Sequence, residues 1–140
     1  MLAIELEAEP FEPLSALAEW HQLLAAGLGM LPAAESHFVG RVRPSCANDV
    51  PLTALELEHY PGMTERALEE IVDQARARWP LQGVRVIHRH GPLKPGERIV
   101  LVLTASRHRQ AAPIFDAQGK IPPPGLQQGV AVLHGVEHLV

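Results

Sequence analysis

The sequence predicts a single mixed α+β domain, and three observations predict it. Apolar residues alternate with polar or small ones at Leu2 to Leu6 and Leu55 to His59, and Val84, Val86 and His88 alternate with Arg85, Ile87 and Arg89, the period of a strand. Two other stretches, Ser15 to Leu28 and Thr64 to Trp79, space their apolar residues by three and four, which gathers them on one stripe of a helix. Ile99 to Thr104 is almost wholly apolar, as a strand covered on both faces is. The 140 residues suit one domain, large enough to bury roughly two thirds of the unfolded surface. Apolar content of 46% and charged content of 20% are those of a soluble globular protein. Aromatics make up only 4%, so Leu, Val, Ile and Ala must build the core. A formal charge of −4 argues against non-specific nucleic-acid binding, which needs a basic surface. The single Cys46 rules out an intramolecular disulfide and a cysteine-based zinc site. No run approaches a membrane span and no basic-then-apolar leader opens the chain, so a cytoplasmic location is expected.

Taken in order, Leu2, Ile4 and Leu6 define an opening strand that Pro10 and Pro13 break. Leu17, Trp20, Leu24 and Leu28 mark the first helix, stopped around Gly27 and Gly29, and Trp20 and Met30 read as core. From Ser36 to Arg43 the chain is strand-like, and Gly40 inside it signals a bulge or a close approach. Residues 44–51 form a polar loop. Leu55, Leu57 and His59 then alternate until Tyr60-Pro61-Gly62 turns the chain, since Pro61 lacks a ladder donor and Gly62 tolerates positive φ. Thr64 is placed to cap the second helix. Its stripe is Leu68, Ile71, Val72, Ala75 and Trp79. Glu65, Glu69 and Glu70 lie near its start and Arg76 and Arg78 near its end, as the helix dipole favours, and Pro80 ends it. Val84, Val86 and His88 mark another strand, and the turn-rich segment from Gly91 to Glu97 joins it to Ile99–Thr104 as a wide hairpin. Ser106 to Ala112 reads as a helix start capped by Ser106. The segment 113–140 is a divergent Pro/Gly-rich tail in which Val130, Val132 and Leu133 could form a last short strand. Nothing repeats, and residues 1–140 read as one domain.

No phosphate-binding loop, dinucleotide glycine fingerprint, serine elbow or His-Glu-x-x-His helix is present. What remains is cationic residues at strand ends: Arg41 and Arg43 after one strand, His108 and Arg109 after another. Guanidinium forks suit phosphate or carboxylate, and a helix start adds backbone donors. A pocket uniting both clusters would take an anion; from spacing alone the same four residues read first as solvated surface charges, since Arg is mostly exposed. His88-Arg89-His90 lacks a third metal ligand and reads as a surface strand, so no metal is expected there. Cys46 has no base beside it.

Phe38-Val39-Gly40-Arg41-Val42-Arg43 resembles the Phe-x-Gly-x-Val-Arg motif of the large, catalytic subunit of molybdopterin synthase. Leu57-Glu58-His59-Tyr60-Pro61-Gly62-Met63, Arg78-Trp79-Pro80, Val86-Ile87-His88-Arg89, the Gly91 to Gly96 connection and Ser106-Arg107-His108-Arg109 continue the likeness in order, from Phe38 to Ala112. The resemblance implies an α+β fold with an α/β hammerhead core and an additional small β subdomain. It implies a homodimer, each protomer of which binds a ubiquitin-like small subunit ending in a thiocarboxylate. The implied reaction moves sulfur from that thiocarboxylate to cyclic pyranopterin monophosphate, making the dithiolene of molybdopterin, with no resident cofactor. Under the resemblance Phe38, Arg41, Val42 and Arg43 bind substrate, with Arg43 nearest the phosphate. His108 and Arg109 complete the anion site, across the dimer interface.

The family pattern continues past His-Arg to two catalytic lysines, and here the chain departs from it. Counting on without a gap puts Pro124 and Ala131 at the lysine positions. Deleting about one helical turn puts Lys120 at the first and Gln127 at the second. Lys120 is therefore the candidate catalytic residue. Three readings stand at this point: the sulfur-transfer enzyme, a catalytically impaired paralogue that keeps the dimer and the pterin pocket, and an unrelated small α+β domain with solvated arginines.

Overall fold

The computed structural model describes residues 1–45, 51 and 54–108. Element order is β1 (Leu2–Glu7), α1 (Pro13–Leu28), β2 (Ala34–Arg41), β3 (Leu55–Leu57), α2 (Met63–Arg78), β4 (Leu81–Arg89), β5 (Gly91–Leu93) and β6 (Arg98–Ser106). Four strands form one mixed sheet in the order β1-β4-β6-β2, and β3 and β5 form a separate two-stranded ribbon. The expected α+β class, with its small additional β unit, is what the chain adopts.

The layering follows from the period of the strands. Val84 and Val86 of β4 and Val100 and Val102 of β6 pack with Leu68, Val72 and Ala75 of α2. Ile87 of β4 and Leu101, Leu103 and Ala105 of β6 pack with Ala16, Trp20 and Leu24 of α1. The helices therefore cover opposite faces, which explains why β4 and β6 are buried along nearly their whole length. β1 pairs parallel with β4, bringing Leu2 beside Val84. β4 and β6 run antiparallel, as the wide hairpin requires, and β2 adds antiparallel to β6. α1 comes close to the sheet at Gly83: a Cβ there would lie 2.9 Å from Trp20 Cζ2.

Several expectations shift. Pro13 does not precede the first helix but opens it, its missing N–H being one a first turn leaves free anyway. Trp20 is fully buried, whereas Met30 is 72% exposed; Gly29, at φ 76°, turns the chain out of α1 just before it. β2 begins at Ala34, two residues earlier than read. Both expectations for Gly40 hold: the β2–β6 register shifts between Gly40 and Arg41, and a Cβ at Gly40 would meet Val100 Cγ1 at 2.8 Å. Thr64 is not the cap of α2. Gly62, at φ 81°, precedes its first residue, and the Glu65 carboxylate accepts from Gly62 N–H at 2.7 Å. Thr64 lies inside the first turn, where its hydroxyl accepts from Tyr60 N–H at 3.3 Å. β3 stops at Leu57, before His59. Ser106 closes β6, and its hydroxyl accepts from His108 N–H at 3.2 Å. The expectations for Cys46, the 109–112 helix turn and the 113–140 tail lie outside the described residues. Among the described residues no helix is long and apolar enough to cross a membrane.

Candidate functional site

The end of the sheet where β2 finishes and β6 begins concentrates positive charge. Arg41 pairs with Arg98 across the β2–β6 ladder, past the bulge at Gly40. Beyond it Val42 turns inward and is 3% exposed, with Arg41 and Arg43 exposed on either side. The turn before β6 fixes this segment: Val42 N–H donates to the Glu97 carbonyl at 2.9 Å, and Gly96 N–H donates to the Val42 carbonyl at 2.9 Å. Burying one side chain and pinning its backbone twice gives the flanking arginines a firm base.

A cleft of about 260 Å³ opens here, lined by Pro10, Phe11, Arg41, Arg89, Gly96, Glu97 and Arg98. It holds three guanidiniums against one carboxylate. Arg89, on β4, is buried; its Nη2 donates to the Ala8 carbonyl at 3.1 Å. Its Nη1 lies 4.0 Å from Glu97 Oε2. Arg98 Nη1 donates to the Phe11 carbonyl at 3.3 Å and sits 3.3 Å from Glu12 Oε2. The Nε of Arg89 and the Nε of Arg98 are buried without a hydrogen-bond partner. The Arg98 side chain as a whole is 36% exposed and Arg41 is exposed, so it is the outward guanidinium N–H groups of the cleft that suit an anionic guest.

The reading of His88-Arg89-His90 as a surface strand is overturned: His88 and Arg89 are each 5% exposed. β4 is a central strand with a helix on each face, so its charged residues must find partners inside. His88 Nδ1–H donates to the Arg89 carbonyl at 2.8 Å. Burial lowers the His88 pKa, and His90 adds to this against the opposing pull of that carbonyl. His90 instead faces His59, with ring centroids 4.6 Å apart.

The residues singled out in the sequence do not all meet. Arg41 lines the cleft, and Arg43 is exposed beside it. Val42 and Phe38 pack into the apolar core on the α2 side, Phe38 lying against Gly40. His108 follows β6 at the opposite end, where Ala34 pairs with Ser106. At about 3.3 Å per residue, β2 keeps the two ends roughly 23 Å apart. Arg43 and His108 therefore share no pocket within one chain. Arg109 and Lys120 lie outside the described residues. Sequence reasoning missed Arg89 and Arg98. A near-continuous apolar β6 implies a fully covered neighbour, and that signal could have marked Arg89 as buried and partnered.

The family model described as MoaE protein matches residues 9–118. The chain belongs to the MoaE protein family. It is 45% identical over 111 residues to a molybdopterin synthase catalytic subunit of Cereibacter sphaeroides, covering 79% of this chain and 70% of that one. A molybdopterin synthase catalytic subunit of Mesorhizobium japonicum is 66% identical over 61 residues, which is 44% of this chain and 38% of the relative. The chain thus spans less than half the length of that relative. Among solved structures, the molybdopterin biosynthesis MoaE protein from Burkholderia ambifaria superposes with a TM-score of 0.67 at 32% identity, covering 99% of this chain and 76% of that one. The expected membership is therefore correct, and the shared fold spans the sheet that carries the arginine cleft.

Proposed function

We propose that this MoaE-family chain is the large subunit of a molybdopterin synthase. In this reading it transfers sulfur from a thiocarboxylated, ubiquitin-like small subunit to cyclic pyranopterin monophosphate and so makes the molybdopterin dithiolene. The observation that carries the proposal is the arginine cleft at the end of the Phe-x-Gly-x-Val-Arg segment, where Arg41, Arg89 and Arg98 converge. Both reactants are anionic, one through its phosphate and one through its thiocarboxylate. Fixed positive charge in a partly dry site holds two such groups together and stabilises negative charge as it moves between them. That the relatives are named catalytic subunits agrees with a partner subunit.

Arg41 and Arg43 serve as the phosphate-facing residues, while Val42 and Phe38 fix the backbone that carries them. His108 and Arg109 join the site from the second protomer of a homodimer, which removes the separation found within one chain. Lys120 supplies the catalytic amine near the thiocarboxylate. Residues 1–140 act as one domain, and the reaction belongs to the cytoplasm.

The test mixes the chain with thiocarboxylated small subunit and cyclic pyranopterin monophosphate and follows dithiolene formation. Product is expected, Lys120→Ala should abolish it without disturbing dimerisation, and Arg41→Gln should weaken substrate binding. Bound substrate with no dithiolene would instead mark an impaired paralogue. Neither binding nor product would remove the proposal.

A further inference from the structure

A second cluster lies on the α1 face of the sheet, near the end of β2 away from the arginine cleft. His21 projects from α1, and Glu35 and His37 share one face of β2 because they are two apart on a strand. His21 Nε2 lies 2.7 Å and His37 Nε2 3.3 Å from the same oxygen, Glu35 Oε2. One ligand atom from each residue falls within 4.8 Å of the others. Glu35 is the most enclosed member, its side chain 18% exposed, while His21 and His37 are 37% and 39% exposed.

We propose that His21, Glu35 and His37 form a divalent transition-metal site matched to zinc(II). Two imidazoles and one carboxylate are a recurrent zinc ligand set. At metal–ligand distances near 2.1 Å, tetrahedral donors sit roughly 3.4 Å apart. The His37–Glu35 separation matches that value, the His21–Glu35 one is shorter and can open, and the two imidazole nitrogens, within 4.8 Å of each other, close by at most about 1.4 Å through rotation of their exposed side chains. Three protein ligands leave the fourth position to water, on the side where the two imidazoles meet solvent. Binding needs neutral imidazoles and an ionised carboxylate, so the metal competes with protons for the same ligand atoms. The ion links α1 to the edge strand of the sheet. It takes no part in the sulfur-transfer reading.

The test uses the full chain, stripped with chelator and titrated with zinc chloride by calorimetry near neutral pH. One saturable zinc per chain is expected, with a first shell of nitrogen and oxygen donors and no sulfur in X-ray absorption, which separates this site from Cys46. His37→Ala and Glu35→Gln should each weaken binding roughly tenfold or more. His37 sits on an edge strand with its ring half exposed, so His37→Ala should keep the wild-type far-ultraviolet dichroism. Absence of saturable binding, binding through sulfur, or undiminished affinity in folded His37→Ala would overturn the proposal.

Discussion

Replacing Arg85 by alanine tests how α1 and the edge strand β1 are held to β4. The Arg85 side chain is 6% exposed. Its Nε and Nη2 donate to the Glu5 carboxylate at 2.9 and 3.1 Å, Nη2 also to Glu19 at 3.0 Å, and Nη1 to the Ala16 carbonyl at 2.7 Å. One side chain of β4 thereby joins β1 and α1. Burial alone would lower its pKa, but the bonds to Glu5 and Glu19 outweigh this and leave it raised, so the guanidinium stays charged. Breaking a buried ion pair costs about 3–5 kcal/mol when the orphaned charge stays dry. Here the orphans are wetter: Glu5 is 38% and Glu19 62% exposed. What remains is a stranded Ala16 carbonyl, about 1–3 kcal/mol, and the lost packing of the aliphatic stem. A loss of about 2–3 kcal/mol follows. For 140 residues unfolding with about 2.1 cal/mol/K each, that is a fall in Tm of roughly 7–10 °C. Thermal and urea unfolding of wild type, Arg85→Ala and Arg85→Met would measure it, methionine restoring the stem but not the fork. If Arg85→Ala stays within about 0.5 kcal/mol of wild type, the size of an ordinary surface change, this side chain does not hold the layers together.

Three other outcomes follow from the geometry. Gly83→Ala sets a methyl 2.9 Å from Trp20 Cζ2 and 3.1 Å from Leu24 Cδ2; overpacking of about 1–3 kcal/mol is expected from urea midpoints, and an unchanged midpoint would mean that α1 yields freely. The lowered His88 pKa means that the unfolded chain takes up a proton the folded chain refuses. That contribution is full above the ordinary value of 6.5 and is lost as pH falls below it, so His88→Leu should flatten the acid limb of a stability profile between about pH 5 and 7. Under the proposed function, Arg98→Gln should weaken binding of a phosphorylated pterin about tenfold, near 1.4 kcal/mol, the scale of one charged hydrogen bond, with salt reducing the difference; equal affinities would take Arg98 out of the site.

Much of this architecture is written in local pattern. The strand at Leu2, Ile4 and Leu6, both amphipathic helices, and the apolar run of β6 were legible because burial on one or two faces forces their periods. Gly40 announced both its bulge and its close approach, since a glycine inside a strand is common at either and a Cβ here would crowd Val100. The α2 start was misplaced at Thr64 because a threonine and a glutamate near a turn offer two capping schemes, and the carboxylate of Glu65 took the backbone donor. β5 was invisible: three residues, Gly91, Pro92 and Leu93, carry no period, and their ladder with β3 is a tertiary event. The candidate site was half legible. Arg41 could be marked as cationic at a strand end, but its company with Arg89 and Arg98 depends on β2 lying beside β6 and β6 beside β4. The linear string does not contain that order, and it likewise hides that Arg43 and His108 stand at opposite ends of one ladder.

The parallel pairing of β1 with β4 also governs how the chain assembles. Glu5 and its partner Arg85 are 80 residues apart in the chain, so during synthesis the first strand emerges long before anything exists for it to pair with. Loop closure over such a span is slow beside the formation of the β4–β6 hairpin. The hairpin is thus the expected nucleus, and the opening segment docks late. Until then Leu2, Ile4, Leu6 and the apolar stripe of α1 are open to chaperones or to each other, and substitutions in β1 should leave the rate of folding nearly unchanged while speeding unfolding.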